Sequence, residues 1–95
     1  MKEFAERLKE LREERGLTMD LLVYDLNHQY QIEIHKSNIS RWEKGTVDPS
    51  LQYAKFIADY FGVSLDYMIG NTDVRIPVRL LAYAQALKKM KEEKK

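Results

Sequence analysis

Residues 35–45 read HKSNISRWEKG, a short helix closed by Gly45. Ile39 is its apolar anchor, helped from the same side by Trp42 or by an inward-pairing Glu43. Lys36, Ser37, Ser40 and Arg41 then occupy much of the opposite side, with Asn38 and Lys44 near the two ends. The other helices of the chain carry a Glu/Lys mixture outside. This one presents short polar tips and an arginine, which sets it apart as the element whose role decides the reading of the whole.

Working outward, the flanking segments also read as short helices. Phe4, Leu8 and Leu11 recur at helical spacing from residue 3 to residue 15, and Gly16 stands where a left-handed residue ends a helix. Thr18 is a cap for a second helix with Asp20 in its first turn and Leu22, Val23 and Leu26 as its buried stripe. After Gly45, Ser50 caps a fourth helix with Leu51, Ala54, Ile57, Ala58 and Phe61 on its buried face, ended by Gly62. Ser64 caps a fifth, LDYMI, ended by Gly70, and a last helix follows Pro77 from about Val78 to Lys91. Residues 27–34, NHQYQIEI, alternate like a strand but have no partner strand, so a longer second helix or an ordered loop is expected, with Ile32 and Ile34 inward. The fold class is all-α. The first five helices enclose one core, and the sixth is additional.

Size and composition narrow the function. Ninety-five residues support one modest core, and 44% hydrophobic with 33% charged residues is ordinary for a globular chain. With no cysteine there is neither a disulfide framework nor a thiolate metal site, and His28 and His35 lack the neighbours that organise acid–base chemistry. No glycine-rich phosphate loop is present, so neither catalysis nor a cofactor or metal is expected, and no small-molecule ligand is indicated. The start MKEFAERLKELREE is too charged for a signal peptide, and no apolar run is long enough to span a membrane, which points to the cytoplasm. Residues 1–73 hold nine Lys/Arg against thirteen Asp/Glu (net −4), and residues 74–95 hold seven against two (net +5). An acidic body is no generic polycation, so any nucleic-acid contact must be local. The basic tail equally suits a solvated helix end.

The side-chain chemistry of the opening helix suits DNA. Arg41 can fork onto guanine, Lys36 can reach a guanine edge or a phosphate, and Ser37 can bond several bases. Asn38 and Lys44 are better placed for the sugar-phosphate backbone. Composition alone does not separate this from the polar face of many surface helices.

Order and spacing add more. RLKELREERGLT, a helix with Leu22 and Leu26, SNISRWEKGTVDPSL and IADYFGVSLDYMIG follow one another as in the phage-repressor and Cro family of helix-turn-helix domains, the lambda-repressor-like group, which the chain resembles over roughly residues 4–70. The resemblance implies a five-helix DNA-binding domain whose third helix, residues 36–44, lies in the major groove. It matches Lys36, Ser37 and Arg41 to base-reading positions, and Asn38, Lys44 and the backbone around Thr46 to phosphate contacts. Thr18 and Met19 match the phosphate-facing start of the second helix, and Arg12 and Glu43 a buried pair. Two features depart from the pattern. Met19 stands where such proteins often have a glutamine. Thirteen positions separate Leu26 from Ile39, roughly six more than a three- to four-residue turn requires. Either His28, Gln29 and Tyr30 in that addition lie beside DNA, or the addition only alters packing.

The organisation expected is therefore a helix-turn-helix domain over residues 1–73 and a C-terminal helix over 74–95. In the latter, Leu80, Tyr83, Ala84, Leu87 and Met90 form an apolar stripe that either joins two subunits or folds back on its own core. The partners implied are double-stranded DNA with a two-fold symmetric operator and a second copy of the chain, in the role of a repressor or other transcriptional regulator. The competing reading is an interaction or antitoxin-type module whose main partner is a protein.

Overall fold

The structure is a computed structural model that describes residues 1–93. It contains α1 (Lys2–Glu14), α2 (Met19–Tyr30), α3 (Lys36–Lys44), α4 (Leu51–Phe61), α5 (Leu65–Met68) and α6 (Val78–Glu93), with no strand among the described residues. The fold is all-α and lambda-repressor-like. Each cap expected on α2, α4 and α5 forms: Thr18 Oγ1 accepts from the Leu21 amide at 3.1 Å, Ser50 Oγ from Tyr53 at 3.1 Å and Ser64 Oγ from Tyr67 at 2.9 Å. These bonds satisfy amides that a helix start leaves without a partner.

One core joins α1 to α5. Phe4, Leu8, Leu22, Leu26, Ile39, Ile57 and Met68 are its most enclosed side chains, with Trp42, Phe61, Val63 and Tyr67 around them. Ala5 joins the buried face of α1, and Val23 is only half-buried at the edge of α2. Leu51 departs from expectation: it is 75% exposed instead of buried. It occupies the first position of α4, one turn beyond the point where Ala54 meets the core. Periodicity placed it on the correct face but could not show where the core stops.

The addition between α2 and α3 is an extra turn of α2 followed by a pinned loop. α2 runs to Tyr30, and Gln31 takes a left-handed conformation at φ 55° to end it. Asn27 then holds the returning strand of loop from both sides. Its Nδ2 donates to the Ile34 carbonyl at 2.9 Å, and its Oδ1 accepts from the Ile34 amide at 2.8 Å. Ile34 is buried, and Ile32 packs against the core. Tyr30 stacks on Phe56 with ring centres 4.6 Å apart, so it serves packing and is not presented outward with exposed His28 and Gln29.

The chain after α5 folds back onto α1. Arg7 Nη1 donates to the carbonyls of Thr72, at 2.6 Å, and of Tyr67, while its Nη2 reaches Asp73 at 2.8 Å. Arg75 forks onto Glu14 with bonds of 2.8 and 2.7 Å. Arg75 therefore belongs structurally with the body and is not a solvated charge of the basic tail. α6 follows immediately. All of its described side chains from Leu80 to Glu92 are exposed, including Leu80 (48%), Tyr83 (63%), Leu87 (40%), Met90 (54%) and Ala84. A 16-residue helix is about 24 Å long, and α6 extends the molecule to 54 Å along an axis where the other dimensions are 27 and 24 Å.

Candidate nucleic-acid interface

α3 is held from behind by three side chains. Ile39 and Trp42 are buried against the core, mainly toward α1 and α2, and Trp42 tilts against Tyr53 with ring centres 6.1 Å apart. The third is Glu43, whose side chain is only 4% exposed. Arg12 meets it with two parallel bonds, Nε to Oε2 at 2.6 Å and Nη2 to Oε1 at 2.9 Å. The remaining Arg12 nitrogen, Nη1, donates to the Leu17 carbonyl at 2.8 Å. The hydrogen bond to Glu43 raises the Arg12 pKa against the opposing effect of burial. One guanidinium thus ties α3 to α1 and to the segment entering α2, and it neutralises the carboxylate behind the helix.

The ends of α3 are fixed by local bonds. Asn38 Oδ1 accepts from the His35 amide at 2.8 Å. That commits the oxygen of Asn38 and leaves its amide hydrogens as the donors it can offer a ligand. At the other end Gly45 adopts φ 74°, a left-handed turn that glycine enters without steric cost. Thr46 follows, its amide and hydroxyl both donating to the Arg41 carbonyl at 3.2 and 3.3 Å.

The front of the helix is open. Lys36, Ser37, Arg41 and Lys44 are exposed, Ser40 is half-buried, and Thr46 is exposed just past the C-terminus. Among the described residues no carboxylate lies within ion-pairing distance of Arg41 or Lys44. Lys36 Nζ lies 3.9 Å from Asp20 Oδ2, so the starts of α2 and α3 stand side by side and Thr18 joins the same end of the surface. Met19 differs from the other candidates: its side chain is half-buried against the core, so only its place in the first turn faces this end.

Sequence reasoning did not assign Asp20 to this surface. Its position in the first turn of α2 reads equally as a helix-dipole carboxylate, and only the return of α3 beside it makes it the neighbour of Lys36. Asn27 and Arg75 were likewise not singled out, because their partners lie seven and sixty-one positions away.

Comparison with known proteins agrees with this architecture. A family model described as a helix-turn-helix domain matches residues 5–74, and the chain belongs to that family. The chain is similar to the HTH-type transcriptional activator BcrR of Enterococcus faecalis, 29% identical over 72 residues, which cover 76% of this chain and 32% of that protein. It therefore spans about a third of that relative's length. It is also similar to the cryptic phage CTXphi transcriptional repressor RstR of Vibrio cholerae, 22% identical over 92 residues, 97% of this chain and 78% of that protein. No solved structure matches the chain. Among the described residues, no helix is long and apolar enough to cross a membrane.

Proposed function

We propose that the chain binds double-stranded DNA sequence-specifically by laying α3 in the major groove, and that it represses transcription from a two-fold symmetric operator as a homodimer in the cytoplasm. The observation that carries this reading is the division of α3. Ile39, Trp42 and Glu43 are withdrawn into the body, while Lys36, Ser37 and Arg41 stand exposed opposite them.

Arg41, with no carboxylate partner among the described residues, supplies a planar fork for the O6 and N7 acceptors of guanine. Lys36 and Ser37 read neighbouring base edges. Asn38 through its amide hydrogens, Lys44 through its ammonium, and the backbone just past Thr46 and at the start of α2 meet phosphates, which set register without reading sequence. A single reading helix covers only a few base pairs, so a second copy about one helical turn away completes the site. The exposed stripe on α6 is the surface assigned to pairing. Repression is favoured over activation because the repressor relative is matched over 78% of its own length, whereas the activator is matched over 32% of its own.

Selection of duplexes from a random library at a stated salt concentration tests the reading. The expected product is a consensus with two related halves and guanine-containing positions. Recovery of no consensus at any salt would sink it.

A further inference from the structure

The body that carries the reading helix is joined to α6 by residues 71–77, NTDVRIP. Besides the local bond of the Asn71 amide to the Asp66 carbonyl, two arginines tie this joint to α1. Arg75 engages all three of its guanidinium nitrogens: Nη1 with Glu14 Oε2 at 2.8 Å, Nη2 with Glu14 Oε1 at 2.7 Å and Glu10 Oε1 at 3.2 Å, and Nε with the Tyr67 hydroxyl at 3.1 Å. Its own carbonyl accepts from the Ser64 amide at 2.7 Å, at the cap of α5. Arg7 holds Thr72 and Asp73 on the other side of the joint. Both guanidinium groups lie against the Tyr67 ring, at 4.1 Å for Arg7 and 5.4 Å for Arg75. Pro77 follows Arg75 by two residues and restricts the backbone where α6 begins.

We propose that Arg75 is a positioning residue that fixes the direction in which α6 leaves the body, and through it the half-site spacing that the dimer accepts. The proposal rests on the homodimer reading given above. Partly exposed ion pairs add little stability, so energy is not what this arrangement supplies. A planar fork bound on two carboxylates and a phenol supplies direction, which the point charge of a lysine does not reproduce. Two reading heads on rigid joints present a high effective concentration to a second half-site only where the geometry matches. Heads on loose joints present a lower one over many spacings. The latch on α1 therefore converts a flexible tether into a ruler.

The test uses the full chain and a set of duplexes carrying two copies of the selected half-site, with their spacing varied in single base pairs, together with a duplex holding one half-site. The wild-type protein is expected to prefer one spacing sharply. Arg75→Ala, Arg75→Lys and Glu14→Gln should each reduce the advantage of that spacing over its neighbours by about tenfold, while single-half-site binding stays within about twofold and the dimer dissociation constant is unchanged. Unaltered spacing profiles in all three variants would overturn the proposal. So would a parallel loss on every duplex including the single half-site, which is the mark of a merely destabilised body. A wild-type dimer with no preferred spacing would overturn the proposal too, whereas a wild-type protein that remains monomeric would overturn the homodimer reading itself and leave no spacing for Arg75 to set.

Discussion

Glu43 is an acidic residue on the helix assigned to an acidic ligand, and its burial resolves the conflict. With its side chain 4% exposed and both oxygens bonded to Arg12, its charge is taken off the reading face and its partner is spent behind the helix. The pair itself adds little net stability, because desolvation offsets attraction. Removing one member strands the other, so Arg12→Ala and Glu43→Ala are each expected to cost ~3–5 kcal/mol in denaturant unfolding. Values below about 0.5 kcal/mol for both would show a solvated pair of no consequence. On the front of the helix the expectation is different. Arg41→Ala should leave stability intact, weaken operator binding by about 1–3 kcal/mol and relax preference at one position. Lys44→Ala should weaken all duplexes alike and shallow the salt dependence. Asp20, exposed beside Lys36, places a negative charge where the phosphates of a bound duplex would approach. Asp20→Asn should therefore raise affinity for every sequence, measured as a fall in Kd on operator and random duplexes together.

Between elements, polar bridges add to what the apolar core supplies. Tyr60 on α4 donates to Asp25 on α2 at 2.6 Å, and burial together with that bond pushes its phenol up to about 12. A folded-state value above the unfolded one, about 10, means that this contribution is fully present below pH 10 and is lost as pH rises toward 12. Phenolate absorbance of the native protein should show a tyrosine that titrates late and that disappears from the curve in Tyr60→Phe. Asn27 makes a shorter bridge, to Ile34. Asn27→Ala would leave the amide and carbonyl of Ile34 without their partners at a cost of about 1–3 kcal/mol, and amide exchange should quicken in residues 31–35 more than in α1 or α4. These bridges mark the limit of what the sequence discloses. The helices and their Thr18, Ser50 and Ser64 caps are legible because periodicity and capping act within a few residues. The front and back of α3 are legible for the same reason, once Ile39 is taken as the anchor. The segment 27–34 is not, since QYQIEI alternates as a strand does, and the turn is set by Asn27 reaching Ile34 and Tyr30 reaching Phe56. Leu51 lies beyond the core for a reason of tertiary reach, and Arg75 reads as one more tail charge until α1 is seen beside it.

At the scale of the molecule, the body and α6 are separable in a way that makes the dimer testable. The buried core draws on residues from Phe4 to Met68, and α6 contributes none of its described side chains to it. The stripe of Leu80, Tyr83, Ala84, Leu87 and Met90 is exposed along three turns, and packing it against a second copy would remove that apolar surface from water. Removing residues 77–95 retains Arg75 and the whole core. The truncated chain is therefore expected to unfold cooperatively, with its Tm nearly unchanged, while sedimentation shows a weaker dimer and binding to a two-half-site duplex falls toward the affinity for a single half-site. The charge balance sharpens the expectation. The cut removes five lysines and one arginine (Arg79) of the basic tail and leaves a body of net charge close to −3. Single-half-site affinity should then fall only by the nonspecific part, which added salt suppresses in the full-length protein as well. If the truncated chain still dimerises with undiminished affinity, pairing lies on the body instead, and exposed Val47 and Leu51 at the turn behind α3 become the surface to substitute.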